Sequence, residues 1–375
     1  MKFMFTCGGT AGHINPAIAV AGRLRELMPD CEVLFVGADG NMETDLVPRS
    51  GYDIVTLKVT NISRSKSIKG IIHNIKAVIN VILGTIKAKK IIKDFAPDIV
   101  VGTGGYVCYP VLKAGSKLGI PTVVHESNAF PGLTTRMLES VVDKILVGFE
   151  ESRKHYKQPD KIIVTGTPVR GEFNKYTKES AKKELGIPQD MPLVVSVWGS
   201  LGAAHMNEAI CELIRLAGSN AGFKLIHSAG TAGYEKMAAT LNEIAPDYAE
   251  NGMDVRQYIY DIPRVMAAAD LVLSRAGAST VTELTYMRKP TIFVPSPYVT
   301  DNHQFKNASV IKNAGGAEIF EEGKFRPEEL LREVKRILSS PTELDSMAKA
   351  METLAVDDAT EEITKLILSL CNTDC

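Results

Sequence analysis

The stretch FTCGGTAGHINP, residues 5–16, decides the reading of the fold. A strand-like run, Lys2 to Cys7, stops at Gly8 and Gly9, and a helix-like run resumes near Ile14 with apolar residues at helical spacing through Leu24 and Leu27. Strand, glycine turn and helix in that order open an α/β unit. Glycines at such a turn let a ligand approach the main chain, and the helix start behind them offers unpaired N–H groups and a positive dipole end. An anionic or polyhydroxylated ligand fits there; equally, Gly8, Gly9 and Gly12 can do no more than turn the chain. The glycines do not follow GxGxxG, which speaks against a dinucleotide oxidoreductase.

Outward from that stretch the alternation continues. EVLFVG, DIVVGTGG, TVVHES, KILVGF and KIIVTG in the first half, and LVVSVWGS, FKLIHSAG, VRQYIY, LVLSRAG and TIFVPS in the second, are Val- and Ile-rich runs separated by helical stretches. Continuous apolar strands that end in Gly or Ser predict parallel sheets covered on both faces. The expected fold class is therefore α/β, with two doubly wound Rossmann-like domains facing an interdomain cleft, and with ligands at the carboxyl ends of the strands. The polar stretch Thr165 to Ser180 separates the halves, with a boundary near Pro168: residues 1–167, residues 168–355, and a C-terminal amphipathic segment, 356–375.

The chain of 375 residues is long enough for two cores. Its 43 Lys and Arg nearly balance 44 Asp and Glu, so whole-chain charge points to neither nucleic acid nor an acidic tail. Cys7, Cys31, Cys108, Cys211, Cys371 and Cys375 form no CxxC pair and have no histidines at zinc spacing, which suits reduced thiols in the cytosol and predicts no structural metal. The start of the sequence carries no signal-peptide pattern, so an intracellular protein is expected.

Four later stretches bring polar groups to strand ends. VWGSLGAAHMNEA (197–209) repeats the glycine device before a helix expected near Ala204. SRAGASTVTEL (274–284) places Ser279 and Thr280 near a helix start with Glu283 one turn in; a carboxylate there suits ribose hydroxyls, whereas Thr280 with Glu283 also reads as a capping box. VPSPYVTDNHQFKNA (294–308) offers His303, Gln304 and Asn307 to sugar hydroxyls, or is a surface loop capped at Asp301 or Asn302. VVHESNAFPGLTTR (123–136) carries His125, Glu126 and Asn128, and a buried structural histidine explains His125 as well as a functional one does.

These blocks, with GGTAGHINPAIAVA, GTGGYVCYP and GTPVR in order, cover nearly the whole chain and resemble the MurG family of bacterial peptidoglycan glycosyltransferases. The sequence departs from the family pattern at Ala11, where glycine is usual, at Ser127 and Leu201, where glutamine is usual, and at Thr167, where asparagine is usual. The resemblance implies the GT-B architecture and an inverting, metal-independent transfer of N-acetylglucosamine from UDP-GlcNAc to the C4 hydroxyl of the muramoyl sugar of lipid I, giving lipid II. It implies no cofactor. In its terms the first domain takes the acceptor and the membrane, and the second takes the donor. UDP-GlcNAc would meet Thr10, Ala11, Gly12, Asn128, Arg170, Ser200, Ile259, Ala278, Ser279, Thr280, Glu283 and Gln304, with Ile259 giving backbone bonds to uracil, Glu283 the ribose, and Arg170 and Ser200 the diphosphate. Gln304 and Asn128 would hold the donor sugar. The family context also implies a peripheral position on the cytoplasmic face of the membrane, other cell-wall synthesis proteins as partners, and packing of the C-terminal helix on the first domain.

The chemistry asks for a base at the attacking hydroxyl, and His13 is the first candidate, with Glu126 in reserve. From Asp53 to Asp94 no acidic residue intervenes, while Lys58, Arg64, Lys66, Lys69, Lys76, Lys87, Lys89, Lys90 and Lys93 accumulate among Ile71, Ile72, Ile75, Val78, Ile79, Ile82 and Leu83. This reads as a helix lying on anionic lipid, too interrupted by lysine to span a bilayer, or as an ordinary amphipathic helix. Two other functions share these features: a UDP-GlcNAc 2-epimerase, which needs no lipid acceptor, and a sugar-nucleotide sensor, which needs no base.

Overall fold

The computed structural model describes residues 1–60, 67–169, 173, 175–199 and 202–371. The chain divides into two compact units, Met1–Arg170 with Val356–Cys375, and Gly171–Ala355.

The first unit runs β1 (Lys2–Thr6), α1 (Ala11–Leu27), β2 (Glu32–Ala38), α2 (Glu43–Arg49), β3 (Asp53–Leu57), α3 (Ile68–Phe95), β4 (Ile99–Gly102), α4 (Cys108–Lys117), β5 (Thr122–Glu126), α5 (Leu133–Leu138), β6 (Lys144–Val147) and β7 (Ile162–Val164). Its strands are ordered β3-β2-β1-β4-β5-β6-β7, and all pairs are parallel. Both faces are covered, which is why these strands are apolar on both sides. Phe3 and Phe5 join Ile14, Val20 and Leu24 of α1 in one core, while Met4 between them joins Ala88, Ile92 and Val111 on the other.

The second unit runs α6 (Lys178–Glu184), β8 (Leu193–Val197), α7 (Ala204–Ala217), β9 (Lys224–Ser228), α8 (Tyr234–Ile244), β10 (Met253–Arg256), α9 (Ile262–Ala268), β11 (Leu271–Ser274), α10 (Ala278–Tyr286), β12 (Thr291–Phe293), α11 (His303–Ala314), β13 (Ala317–Ile319), α12 (Pro327–Leu338) and α13 (Pro341–Leu354). Its parallel sheet is ordered β10-β9-β8-β11-β12-β13. The chain then returns to the first unit through α14 (Ala359–Cys371), whose Ile363 and Ile367 enter the core around α1 and whose Glu361 accepts from Arg23 Nε at 2.7 Å.

Several local expectations are corrected. Helix α1 starts at Ala11, before the apolar periodicity begins, because the Thr10 carbonyl already accepts from the His13 and Ile14 N–H groups. The run VRQYIY is strand only to Arg256, and residues 257–260 form a loop. β3 and β13, both edge strands, lie outside the runs that read as strands in the sequence.

Candidate active site

Each sheet reverses its strand order once, between β1 and β4 and between β8 and β11, the kind of position where open α/β sheets bind ligands. The glycine loops lie at these two points.

In the first unit the loops after β1 and β4 are interlocked. The Gly8 N–H donates to the Gly104 carbonyl at 3.2 Å, and the Thr103 hydroxyl donates to the His13 carbonyl at 2.6 Å. The His13 ring lies against Gly104, where a Cβ would sit 2.4 Å from Cδ2; Gly104 also has φ +118°, so both space and backbone require glycine. His13 Nδ1 is 2.9 Å from the Gly8 carbonyl oxygen. A carbonyl only accepts, so Nδ1 carries the proton and Nε2 of the neutral ring keeps its lone pair.

The N–H groups of this loop divide into two sets. Those of Gly8 and Gly9 are spent inside the protein, the second on Glu43 Oε2 at 3.0 Å. The N–H groups of Ala11 and Gly12, in the first turn of α1, lack an i−4 carbonyl by helix geometry and are the ones available to an anion.

At the end of β5, Glu126 is buried and accepts four hydrogen bonds: Asn128 N–H at 3.0 Å and Asn128 Nδ2 at 2.9 Å on one oxygen, Gly132 N–H and the Thr135 hydroxyl, both at 2.8 Å, on the other. Its lone pairs serve the 126–135 loop. His125 is fully buried, its Nε2–H donating to the Gly166 carbonyl at 2.8 Å, and desolvation pushes its pKa below the ordinary value. It is a neutral structural histidine.

In the second unit a buried chain of hydrogen bonds stands behind the glycine loop. Trp198 Nε1 donates to Ser196 Oγ at 2.9 Å, and Ser196 Oγ lies 2.9 Å from His227 Nδ1. His227 Nε2 lies 3.2 Å from Asn207 Oδ1, and Asn207 Nδ2 donates to the Ala229 carbonyl at 2.8 Å. Directed from the indole, which only donates, the chain gives His227 a proton on Nε2; burial pushes its pKa down to about 3. The Arg275 guanidinium lies over the Trp198 ring, donates to the Val294 carbonyl and pairs with Glu322 at 2.7 Å. A cavity of about 490 Å³ opens there, between the start of α7, Arg275, Ser296, Tyr298 and Glu322.

Helix α10 begins at Ala278 with Gly277 as its N-cap, so Thr280 lies inside the first turn and is not the capping residue of a box with Glu283. Ser279 and Glu283 are one turn apart on the same face. The Ser279 hydroxyl is buried and has no hydrogen-bond partner among the described residues. Ile259 is buried in the loop after β10, between the exposed Tyr258 and Tyr260, whose rings meet edge to face at 5.0 Å. In α11, Gln304 Oε1 accepts from the Ser296 N–H at 2.8 Å, which leaves its amide nitrogen as the group to offer, and Asn307 ties α11 to the Ala276 carbonyl. Arg170, Ser200 and Leu201 lie outside the described residues, as do Arg64 and Lys66. Thus Thr10, Ala11, Gly12 and His13 share the N-cap and first turn of α1, Ala278, Ser279, Thr280 and Glu283 share the start of α10, and Asn128 sits on the loop held by Glu126. Sequence reading missed Glu43, Arg275 and the Trp198–Asn207 chain. Among the described residues no three His, Cys, Asp or Glu side chains cluster as metal ligands.

Helix α3 is inverted relative to an ordinary surface helix. Ala77, Gly84, Ala88 and Ile92 are buried, and α3 packs along α4 through this narrow seam; a Cβ on Gly84 would come within 3.1 Å of Val59. Ile71, Ile72, Ile75, Val78, Ile79, Ile82, Leu83 and Ile86 are exposed, each by about half or more of its surface. One 18-residue window within Lys69–Phe95 reaches a mean hydropathy of 1.3, so by length and composition alone the helix could cross a bilayer. Its packing on α4 nevertheless makes it one layer of the first unit.

Two doubly wound parallel units, each with a glycine turn at its strand-order reversal, are the architecture of GT-B glycosyltransferases. The chain belongs to glycosyltransferase family 28: residues 3–147 match that family's N-terminal domain and residues 193–363 its C-terminal domain. It is 42% identical over 98% of its length to the UDP-N-acetylglucosamine–N-acetylmuramyl-(pentapeptide) pyrophosphoryl-undecaprenol N-acetylglucosamine transferase of Acetivibrio thermocellus, covering 97% of that protein, and 39% identical over 99% of its length to the enzyme of that name from a Thermoanaerobacter species, covering all of it. The crystal structure of Acinetobacter baumannii MurG superposes with a TM-score of 0.78 at 27% identity, over 98% of this chain and 99% of that one. A Neisseria meningitidis UDP-GlcNAc 2-epimerase, bound to UDP-GlcNAc, superposes at 0.65 with 14% identity over 98% of this chain and 100% of that one, a likeness of fold alone.

Proposed function

We propose that this chain transfers N-acetylglucosamine from UDP-GlcNAc to the C4 hydroxyl of the N-acetylmuramyl sugar of lipid I, with inversion and without a metal, forming lipid II in peptidoglycan synthesis. The observation that carries the reading is His13: its Nδ1–H is committed to the Gly8 carbonyl, so Nε2 is a ready proton acceptor beside a helix start that suits a diphosphate. A sensor has no use for such a base, and an epimerase has none for a lipid acceptor.

In the reaction, the acceptor oxygen bonds to the anomeric carbon, the bond from that carbon to the UDP oxygen breaks, UDP leaves with the electron pair, and the hydroxyl proton goes to His13 Nε2. Thr10, Ala11 and Gly12 hold the diphosphate nearest this base, that of the acceptor or of the donor. The charge developing on UDP meets the starts of α7 and α10, together with Arg170 and Ser200; one such donor is typically worth about 2.7–4 kcal/mol in the transition state. Ser279, with a buried hydroxyl awaiting a partner, and Ala278 and Thr280 beside it line the same helix start. Glu283 takes the ribose, the Ile259 backbone the uracil, and the Gln304 amide nitrogen and Asn128 the donor sugar. Glu126 serves as the organiser of the Asn128 loop.

In this reading the first unit receives the acceptor and the membrane, and the second receives the nucleotide. Helix α3 lies on the cytoplasmic leaflet with its isoleucines in the acyl boundary and Lys69, Lys76, Lys89, Lys90 and Lys93 at anionic headgroups. Other cell-wall synthesis proteins are further partners at that surface. The test is a transfer assay with radiolabelled UDP-GlcNAc and a short-chain lipid I analogue in EDTA. Labelled disaccharide lipid with equimolar UDP is expected; UDP-N-acetylmannosamine, or saturable UDP binding without transfer, would overturn the proposal.

A further inference from the structure

Glu43 is a fully buried carboxylate placed under the acceptor loop, where an anion is unexpected. It starts α2, and its oxygens accept from Ala38 N–H at 2.9 Å and Gly9 N–H at 3.0 Å. Two glycines make room for it: a Cβ on Gly8 would lie 2.4 Å from Glu43 Oε1, and one on Gly37 would lie 2.6 Å from Glu43 Cγ.

The Gly9 N–H that Glu43 binds and the Gly8 carbonyl that receives His13 Nδ1–H belong to the same peptide group. We propose that Glu43 is a positioning residue coupled to His13 through the Gly8–Gly9 peptide, forming a carboxylate–peptide–imidazole relay. The carboxylate polarises the peptide, the carbonyl becomes a stronger acceptor for Nδ1–H, and Nε2 becomes more basic. When Nε2 takes the proton of the attacking hydroxyl, the positive charge on the ring is stabilised through the peptide. The proton stays on the imidazole, and the Glu43 oxygens go on accepting from Ala38 and Gly9. The relay deepens the assignment of His13 as base and rests on it for its role in turnover, though not for its existence.

The surroundings leave this titration legible. Burial holds the Cys7 and Cys108 thiols above their ordinary range, Cys108 at about 12, and His125 is held neutral. The other carboxylates from α1 through α2 are Glu26, Asp30, Glu32, Asp39 and Asp45, all exposed, and Glu126 at the end of β5 is bonded within its own loop.

The experiment compares wild type, Glu43→Gln and His13→Ala. Ala38 and Gly9 donate to different Glu43 oxygens, and an amide keeps one oxygen and no charge, so Glu43→Gln weakens the relay at constant size. The His13 resonance, assigned by its loss in His13→Ala, should titrate about half to one pH unit lower. kcat should fall roughly three- to tenfold with KM for UDP-GlcNAc unchanged, and Glu43→Gln should cost no further kcat in the His13→Ala background. An unmoved His13 titration, or an equal loss in that background, overturns the relay. Should Glu43→Gln fail to fold, the Gly9 amide proton of the wild type should shift with the His13 titration, and a flat response refutes the coupling. If His13→Ala leaves turnover intact while the titrations are coupled, the base assignment fails and the relay stands.

Discussion

Glu126→Gln separates a loop organiser from a proton acceptor. The amide keeps the size of the side chain and replaces one of its two oxygens with a donor. The Thr135 hydroxyl can rotate to accept, so the amide nitrogen faces the Gly132–Thr135 side, and the Gly132 N–H loses its acceptor. A hydrogen bond to a charged group is worth about 1.5–3 kcal/mol and a stranded buried donor costs about 1–3, so for this part-buried N–H the loss is about 3 kcal/mol. In a unit of this size that lowers the midpoint of thermal unfolding by about 6–12 °C, readable by calorimetry. Kinetically, Asn128 loosens with its loop, so KM for UDP-GlcNAc should rise while the acidic limb of the kcat profile persists. A midpoint within about 2 °C of wild type, with kcat down about 10²–10⁴ and the acidic limb gone, would refute this reasoning and make Glu126 the base.

Trp198 is the only tryptophan in the chain and directly precedes the second glycine loop; UDP titrated in EDTA should change its emission saturably, and calorimetric binding with flat emission would remove that loop from the donor site. His227, held near 3 by burial, is neutral in the fold but takes a proton in the unfolded chain below about 6.5. The unfolded state therefore binds more protons between these values, and stability falls with falling pH through that window by up to about 1.4 kcal/mol per unit. Urea unfolding from pH 7 to 5 should show a shallower loss in His227→Gln, and equal slopes would refute the role. Replacing Ile75, Ile79 and Ile82 together by Glu should abolish flotation with anionic vesicles at an unchanged unfolding midpoint; undiminished flotation would show that the isoleucine face is not the lipid contact.

The two parallel sheets, apart from their edge strands β3 and β13, follow from features visible in the sequence: uninterrupted Val and Ile runs ending in Gly or Ser, with helical spacing between. The glycine loops and the His13, Glu283 and Gln304 blocks were legible for the same reason, since each is a contiguous motif at a strand end. Glu43 was not, because it bonds Gly9 from 34 positions away and stands in a helix that looks ordinary. His227 and Asn207 likewise lie on separate elements and meet only when β8, β9 and α7 assemble. In α3 the composition was plain, but which side faced inward depended on the small residues Ala77, Gly84 and Ala88, whose spacing carries no hydrophobic signal of its own.

The first unit is made of two pieces, Met1–Arg170 and Val356–Cys375, with the whole second unit encoded between them. At ~5–20 residues per second, synthesis of residues 171–355 takes about 10–40 s. During that interval the α1 flank waits for Ile363 and Ile367, an apolar strip without its cover. That strip stays open until the second unit has been made, and a chain cut short after the second unit would leave it open permanently.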